Sequence, residues 1–299
     1  MNLWNLPNSE KDALEFFQEK GLLPTHRDCK NGHKKKLYIG KNEIFWKCNV
    51  KTCQHKTNMR MGNWFENSRL PFLTILRFIY CWGAELTSVN FCERHLEMNH
   101  CTVVDWNNYM REVCTITISR NQQTRIGGTG KIVEIDESMF SKRKNNAGRI
   151  LPQQWIFGGI CRETKESFLI QVPNRTKETL STAIKQYIKV GTTIYSDCWR
   201  GYDTDELTRA GYTHGTVNHT NNFVDPVTGI HTQNIERLWG SAKWRNKKHR
   251  GTRRHHLDSY LAEFIWRQNI GGQGEPFEYI LNYIFFLSYI IIHLRLLQL

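Results

Sequence analysis

The order of apolar segments between residues 131 and 270 limits the folds open to this chain more than any other feature. Alternating or continuous apolar runs predict strands at residues 132–135, 155–160, 167–172, 192–195 and 213–218. Between the third and fourth strands, Leu180, Ala183, Ile184, Tyr187 and Ile188 form one face of a helix, and helices resume near Thr232. Three strands, a helix, a strand, a helical stretch, a strand and further helices are the order of an RNase H-like fold. We therefore predict an α/β core with a mixed five-stranded sheet.

Two of these strands lead into aspartates. Asp136 is predicted to end the first strand, and Asp197 the fourth. Sites of open sheets collect at strand ends, and a carboxylate is costly to bury there unless it is paired or bound to a metal. If the two strands are neighbours, both carboxylates face one small volume. A third acid, Glu236, lies on the helix predicted to begin near Thr232.

Three carboxylates around one point repel one another, and divalent cations relieve this repulsion. A ligand set made only of oxygen atoms favours Mg²⁺ or Mn²⁺. Two such ions, about 3.5 to 4 Å apart, activate water or a 3′-hydroxyl and stabilise the leaving oxygen of a phosphodiester. Any one of the three acids alone is better explained as a turn former or a solvated helix residue. Their order on matching elements instead favours a two-metal site at Asp136, Asp197 and Glu236.

Several segments of this region resemble the catalytic domain of Merlin-type DNA transposases and their bacterial insertion-sequence relatives. The matching segments are VEIDES (133–138), FGGICR (157–162), IYSD (194–197), VNH (217–219), HTQNIERLW (231–239) with Lys243, and YLAEFIWR (260–267). The resemblance implies a DDE triad of Asp136, Asp197 and Glu236 on an RNase H-like core, with no covalent enzyme–DNA intermediate. It also implies that Lys243, seven residues after Glu236 and on the same helix face, approaches the DNA.

The chain is strongly basic, which favours a polyanionic partner. Its 41 lysines and arginines against 28 acidic residues give a net charge of +13, and nucleic acid is the expected partner. The densest basic tract follows the third acid, and its position favours phosphate binding beside the active site. This tract consists of Lys243, Arg245, Lys247, Lys248, Arg250, Arg253 and Arg254. A solvated face or a nuclear import signal is the alternative interpretation.

Cysteine and histidine residues between positions 26 and 60 predict a small metal-stabilised module. Two pairs, spaced C-x3-H and C-x4-C around short strand-like runs, suit tetrahedral Zn²⁺. The four predicted ligands are Cys29, His33, Cys48 and Cys53. His26 and His55 are alternative ligands, and His33 departs from the C-x2-C pair that the resembled family has. Thiols that pack without a metal are the competing interpretation.

The remaining segments complete a four-part organisation. Residues 1–65 hold a short amphipathic helix at 9–20, capped by Ser9, and the zinc module. Residues 66–122 predict three helices, the third capped by Thr102, and resemble a helix-turn-helix DNA-binding region. A glycine-containing linker separates them from the catalytic domain at 131–270, and an apolar helix occupies 275–299.

The C-terminal helix is the only stretch of the sequence with membrane-like composition. No Asp, Glu, Lys or Arg occurs at residues 279–294, but the stretch is shorter than the roughly 20 apolar residues of a membrane span. We expect it to be buried, either on the catalytic core, which is the preferred interpretation, or across a dimer interface, with no membrane partner. No signal peptide is recognised at the N-terminus, so the nine cysteines are expected to be reduced. The expected location is the nucleus of a eukaryote or the cytoplasm and nucleoid of a bacterium.

Together these features predict a cut-and-paste DNA transposase. The N-terminal modules would bind terminal inverted repeats, and the catalytic domain would hydrolyse phosphodiester bonds and join 3′-hydroxyl ends to target DNA. A homodimer or larger oligomer is expected, because two DNA ends must be held together. A domesticated sequence-specific DNA-binding protein and a metal-dependent nuclease are the alternatives. Groups expected to support the triad are Glu134, Glu137, His219 and His231, although both histidines are equally well explained as structural residues.

Overall fold

A computed structural model describes residues 5–40, 43–121, 125–140, 154–218, 223–248, 256–270 and 274–296. The chain forms two compact units. The first comprises Met1–Val113 with Gly272–Leu299, and the second comprises Cys114–Gly271.

The described helices and strands alternate along the chain. The first unit begins with α1 (Glu10–Glu19), β1 (Lys35–Ile39), β2 (Ile44–Cys48), β3 (Lys56–Asn58), α2 (Phe72–Gly83) and α3 (Val89–His95). Helix α4 (His100–Asn121) contains the boundary between the units. The second unit continues with β4 (Ile132–Met139), β5 (Trp155–Cys161), β6 (Ser167–Val172), α5 (Lys177–Tyr187), β7 (Thr193–Asp197), α6 (Thr204–Arg209), β8 (Thr213–Val217), α7 (Gln233–Lys248) and α8 (Leu257–Asn269). The last helix is α9 (Pro276–Leu296).

The N-terminal helix forms where its cap and apolar spacing predict it. The Ser9 hydroxyl accepts a hydrogen bond from the Asp12 N–H at 3.1 Å, which satisfies one of the free amide groups of the first turn. Leu14 and Phe17 are buried on one face. The prediction of an amphipathic helix at 9–20 is confirmed.

A small antiparallel sheet follows, with the order β1-β2-β3. Strands β1 and β2 contain the apolar runs that predicted them, and Trp46 and Cys48 of β2 are buried. Strand β3 was not predicted, because its three residues are polar and too few to show an alternating pattern.

Three helices, α2 to α4, follow as the sequence predicts, but the cap of the third differs. The side-chain oxygen of Asn99 accepts a hydrogen bond from the backbone N–H of Thr102 at 2.9 Å, so Asn99 caps α4. The prediction that Thr102 is the cap is wrong, because α4 begins two residues earlier, at His100.

The C-terminal helix packs on the N-terminal unit. The ring of Phe277 lies 6.3 Å from that of Phe16 in α1 and 5.4 Å from that of Tyr80 in α2, measured between centroids. Ile280 and Ile284 are fully buried. The preferred prediction, packing on the catalytic core, is wrong, because an apolar helix pattern shows burial but does not identify the covering partner. Among the described residues, no helix combines the length and apolar character needed to cross a membrane.

The second unit is built on a mixed five-stranded sheet with the order β6-β5-β4-β7-β8. The first three strands pair antiparallel, whereas β4 pairs with β7, and β7 with β8, in parallel. Helices α5 and α6 pack on one face, where Val133 and Ile135 lie against Leu180 and Leu207. Helices α7 and α8 cover the other face around Ile156. The predicted RNase H-like core is confirmed.

Candidate active site and metal centre

The first two predicted acids lie on the central strands of the sheet. The parallel pairing of β4 with β7 runs as far as Glu134 and Tyr195, and Asp136 and Asp197 each lie two residues further along their strands. Asp197 is the last residue of β7, as predicted. Asp136 does not end β4, because pairing with β5 continues the strand to Met139. The two acids nevertheless share one end of the β4–β7 pair.

Electrostatic interactions connect all three predicted acids. The pKa of Asp136 is raised to about 6, mainly by burial and also by the neighbouring carboxylates of Asp197 and Glu236. Hydrogen bonds from the Glu137 N–H, at 2.8 Å, and from the Trp239 indole N–H, at 2.9 Å, oppose this rise. The structure thus brings the three acids within interaction range, and an arrangement of mutually repelling carboxylates is suited to a divalent cation.

Trp239 reaches Asp136 because its ring lies close against a glycine. A Cβ atom on Gly158, which is paired with Asp136 across the sheet, would lie 2.9 Å from two carbon atoms of the Trp239 ring. Only glycine leaves this space without displacement of the indole. Sequence reasoning missed the contact, although a glycine inside a strand is a recognised signal of close approach.

Glu134 fixes the start of the helix that carries Glu236. Its fully buried carboxylate accepts the Asn234 N–H at 2.7 Å and the Ile235 N–H at 3.0 Å, which are free amide groups of the first turn of α7. Arg162 pairs with the same carboxylate at 2.6 Å and also donates to the His231 carbonyl oxygen. Glu134 therefore links the central strand to α7 two residues before Glu236.

Replacing Glu134 by alanine is expected to destabilise the second unit by about 3–5 kcal/mol, because it leaves the Arg162 guanidinium and two helix N–H groups without their acceptor. Urea unfolding measures this loss. Glu178→Ala, which removes an exposed acid from the first turn of α5, is the matched control and should change the free energy of unfolding by less than about 1 kcal/mol. Equal stability of the two variants would contradict a structural role for Glu134.

Glu137 lies on the opposite face of β4 from Asp136. Its pKa is raised to about 7, mainly by burial and also by the Asp136 and Asp197 carboxylates, while a hydrogen bond from Tyr202 and the charge of Arg175 lower it. Burial also raises the pKa of Tyr202. His231 lies 3.7 Å from Glu134, measured from its Nδ1 atom. His219 lies outside the described residues.

The first unit contains a second cluster, built from the predicted zinc ligands. Each of these residues offers one ligand atom, and the four atoms lie within 4.8 Å of one another; the residues are Cys29, His33, Cys48 and Cys53. Two tight turns produce this arrangement, since the Cys29 N–H donates to the His33 carbonyl oxygen and the Cys53 N–H to that of Val50, both at 2.9 Å. Three sulfur atoms and one imidazole nitrogen at this spacing form a donor set suited to tetrahedral zinc.

The surroundings of Cys29 favour its thiolate form. Although burial raises the pKa of Cys29, hydrogen bonds from the backbone N–H groups of Asn31 and His33 lower it to about 7. The alternative ligands His26 and His55 are not part of the four-residue group. The His55 ring instead contacts the Lys35 ammonium at 3.0 Å.

Lys243, the first residue of the predicted DNA-binding tract, lies near residues that contact Asp136. The Lys243 ammonium is 6.0 Å from the ring centroid of Phe140, and that ring packs against Trp239, which donates to Asp136. The next three basic residues of the tract, Arg245, Lys247 and Lys248, belong to the last turns of α7. Its other members, Arg250, Arg253 and Arg254, lie outside the described residues.

Two sequence comparisons find similarity to transposases. Residues 121–269 match the family model of the ISXO2-like transposase domain. An uncharacterised transposase-like protein of Haemophilus influenzae is 29% identical over 102 residues, which cover 34% of this chain and 80% of the relative.

Solved structures with similarity to this chain include retroviral integrases. The catalytic core domain of BIV integrase is 15% identical, with a TM-score of 0.34, and the match covers 50% of this chain and 93% of that one. The HTLV-2 integrase catalytic core domain, in complex with magnesium, is 13% identical, with a TM-score of 0.30, over 48% of this chain and 86% of that one.

Proposed function

We propose that this protein is a DDE-type DNA transposase of the cut-and-paste kind. The observation that carries the proposal is that Asp136 and Asp197 lie at the same end of two neighbouring parallel strands, together with the electrostatic influence of Glu236 on Asp136. These acids lie inside the segment that matches the ISXO2-like transposase domain. Assignment to the Merlin-type branch is part of the proposal and depends on the motif resemblance of residues 133–138 and 231–239.

The reaction assigned to this site is hydrolysis of a phosphodiester bond, followed by attack of the freed 3′-hydroxyl on target DNA. The three carboxylates would hold two Mg²⁺ or Mn²⁺ ions, which activate the nucleophile and stabilise the leaving oxygen. Trp239 and the Glu137 N–H orient the Asp136 carboxylate, while Glu134 positions α7 and therefore Glu236. Lys243 and the basic tract contact phosphates of the DNA.

The first unit is proposed to recognise terminal inverted repeats. Its three-helix segment supplies the helix-turn-helix-like surface, and the cluster of three cysteines and His33 would hold a structural Zn²⁺ ion. Because two DNA ends must be cut and joined together, the active form is proposed to be a homodimer or a larger oligomer.

A strand-joining experiment separates this function from its alternatives. Labelled duplexes carrying the element's terminal inverted repeat are mixed with the full-length protein, Mg²⁺ or Mn²⁺ and a supercoiled plasmid. Labelled plasmid supports the transposase. Cleavage without joining would instead identify a nuclease, and end binding without cleavage a domesticated DNA-binding protein.

The basic tract is expected to bind DNA without regard to sequence. Neutralising Arg245, Lys247 and Lys248 together should weaken binding to specific and random duplexes alike and reduce the salt-dependence slope by about 2 to 3, since each neutralised phosphate contributes about 0.9. Fluorescence anisotropy over a range of salt concentrations measures both quantities.

A matched control uses basic residues at the other end of the sheet. Lys131, Lys165 and Lys189 lie before β4, between β5 and β6, and before β7, so they are distant from the carboxyl end of β7 where Asp197 lies. Their joint neutralisation removes the same charge and should change the slope much less. Equal effects of the two triple variants would show that net charge alone determines binding.

A further inference from the structure

A stack of three side chains lies next to the catalytic acids and has no role in the mechanism above. The guanidinium carbon of Arg175 is 3.9 Å from the ring centroid of Trp155 and 4.3 Å from that of Trp199. Both distances are within the range of cation–π attraction. We call Trp155, Arg175 and Trp199 the tryptophan–arginine stack.

Two contacts hold the outer member of the stack beside Asp197. The backbone N–H of Trp199 donates a hydrogen bond to the Asp197 carboxylate at 3.0 Å. A Cβ atom on Gly201 would lie 2.4 Å from the Trp199 indole nitrogen, so the ring lies directly against the glycine backbone. The orientation of the indole is therefore set by the same turn that carries the second catalytic acid.

The stack keeps recognition groups open to solvent. Trp199 is 39% exposed. Arg175 makes no hydrogen bond or ion pair with any other described residue, although Glu137 lies near enough to be affected by its charge. An aromatic face and unused guanidinium donors are thus presented together beside Asp197.

A nucleobase and its phosphate have the chemistry that complements these groups. Every base has a π-face that stacks on an aromatic ring, and a guanidinium group binds phosphate oxygens through paired N–H donors. A base inside a duplex has both faces covered by its neighbours, so it must leave the stack before it packs on Trp199.

We propose that the tryptophan–arginine stack binds an unpaired nucleotide of the substrate DNA next to the scissile phosphate. The base stacks on Trp199, and Arg175 donates to the adjoining phosphate. This inference rests on the proposed function and extends it, because it specifies locally unpaired DNA as the substrate form that the active site receives.

The test compares two fluorescein-labelled DNAs by anisotropy with the full-length protein. One is a fully paired duplex, and the other is the same duplex ending in an unpaired thymine arm. The wild type should prefer the forked DNA, and Trp199→Ala should lower that preference about 5- to 100-fold while leaving affinity for the paired duplex little changed. Trp199→Phe, which keeps a ring, should retain most of the preference, and Arg175→Gln should lose part of it.

Trp244→Ala is the matched control, because Trp244 is a 61% exposed tryptophan of the same unit on α7. Its loss should alter the affinity for both DNAs equally. Absence of a forked-DNA preference in the wild type, or an unchanged preference in a folded Trp199→Ala variant, would overturn the proposal. If Trp199→Ala does not fold, an unchanged preference in Arg175→Gln overturns it instead.

The result also remains distinguishable from failure of the proposed function. A preference for forked DNA that depends on Trp199, in a protein that never cleaves or joins DNA, would support the stack and contradict the transposase. Cleavage and joining without that preference would support the transposase and contradict the role of the stack.

Discussion

Asp136→Asn, Asp197→Asn and Glu236→Gln are each expected to reduce strand cleavage and joining on the order of 10³-fold or more. Each substitution keeps the shape of the side chain but removes a negative charge that a divalent ion requires, and the loss of transition-state stabilisation at such a site amounts to several kcal/mol. The measurement is the strand-joining experiment with Mg²⁺ and, separately, with Mn²⁺. Affinity for the DNA ends should remain nearly unchanged, because binding is assigned to other residues.

Glu178→Gln provides the control for a lost carboxylate in the same unit, since Glu178 is exposed in the first turn of α5. It should cleave and join at the wild-type rate. If any triad variant also does so, the assignment of that residue as a metal ligand is wrong. A folded variant that loses both end binding and cleavage would instead indicate a structural role.

Much of the five-stranded sheet could be predicted because its first three strands, β4 to β6, are largely buried and therefore rich in apolar residues. Strand β6 was predicted with its observed limits, and the other four to within a few residues at each end. The largest difference concerns β4, which continues through Asp136 and Glu137 because pairing with β5 compensates for their polarity. A ladder between strands is a long-range interaction, and local sequence patterns do not report it.

The candidate site was predictable as a set of acids but not as a set of contacts. The residue types and their order placed Asp136, Asp197 and Glu236 together. In contrast, the Glu134 bond to the Asn234 N–H joins residues 100 positions apart. Only the fold brings such pairs into contact.

The same distinction explains the prediction for the C-terminal helix. Its composition correctly indicated burial, and Phe277 packs against rings of α1 and α2 in its own unit. Apolar character is not directional, so it specifies that a face is covered without specifying which element covers it.

Cys48→Ser is expected to release the structural zinc ion and unfold the small β-sheet of the first unit. The free energy of zinc binding in such modules is folding free energy, about 10–16 kcal/mol in small zinc-finger peptides, so the loss of one thiolate affects the whole module. Cys48 is fully buried at the end of β2. Metal analysis of the purified protein should find about one Zn²⁺ per chain in the wild type and much less in the variant, and limited proteolysis should cut the variant between residues 26 and 60.

Two further variants determine whether the metal or the packing of the thiols holds the module together. Cys101→Ser removes an exposed thiol from α4 of the same unit and should keep the zinc. His33→Cys should also keep it, because a fourth thiolate is an equally good zinc ligand, whereas His33→Ala should lose it. His55→Ala should retain the ion, since the His55 ring contacts Lys35 outside the ligand group. A folded wild-type protein without zinc would contradict the metal site and leave thiol packing as the explanation, because reduced cysteines also pack as small apolar side chains.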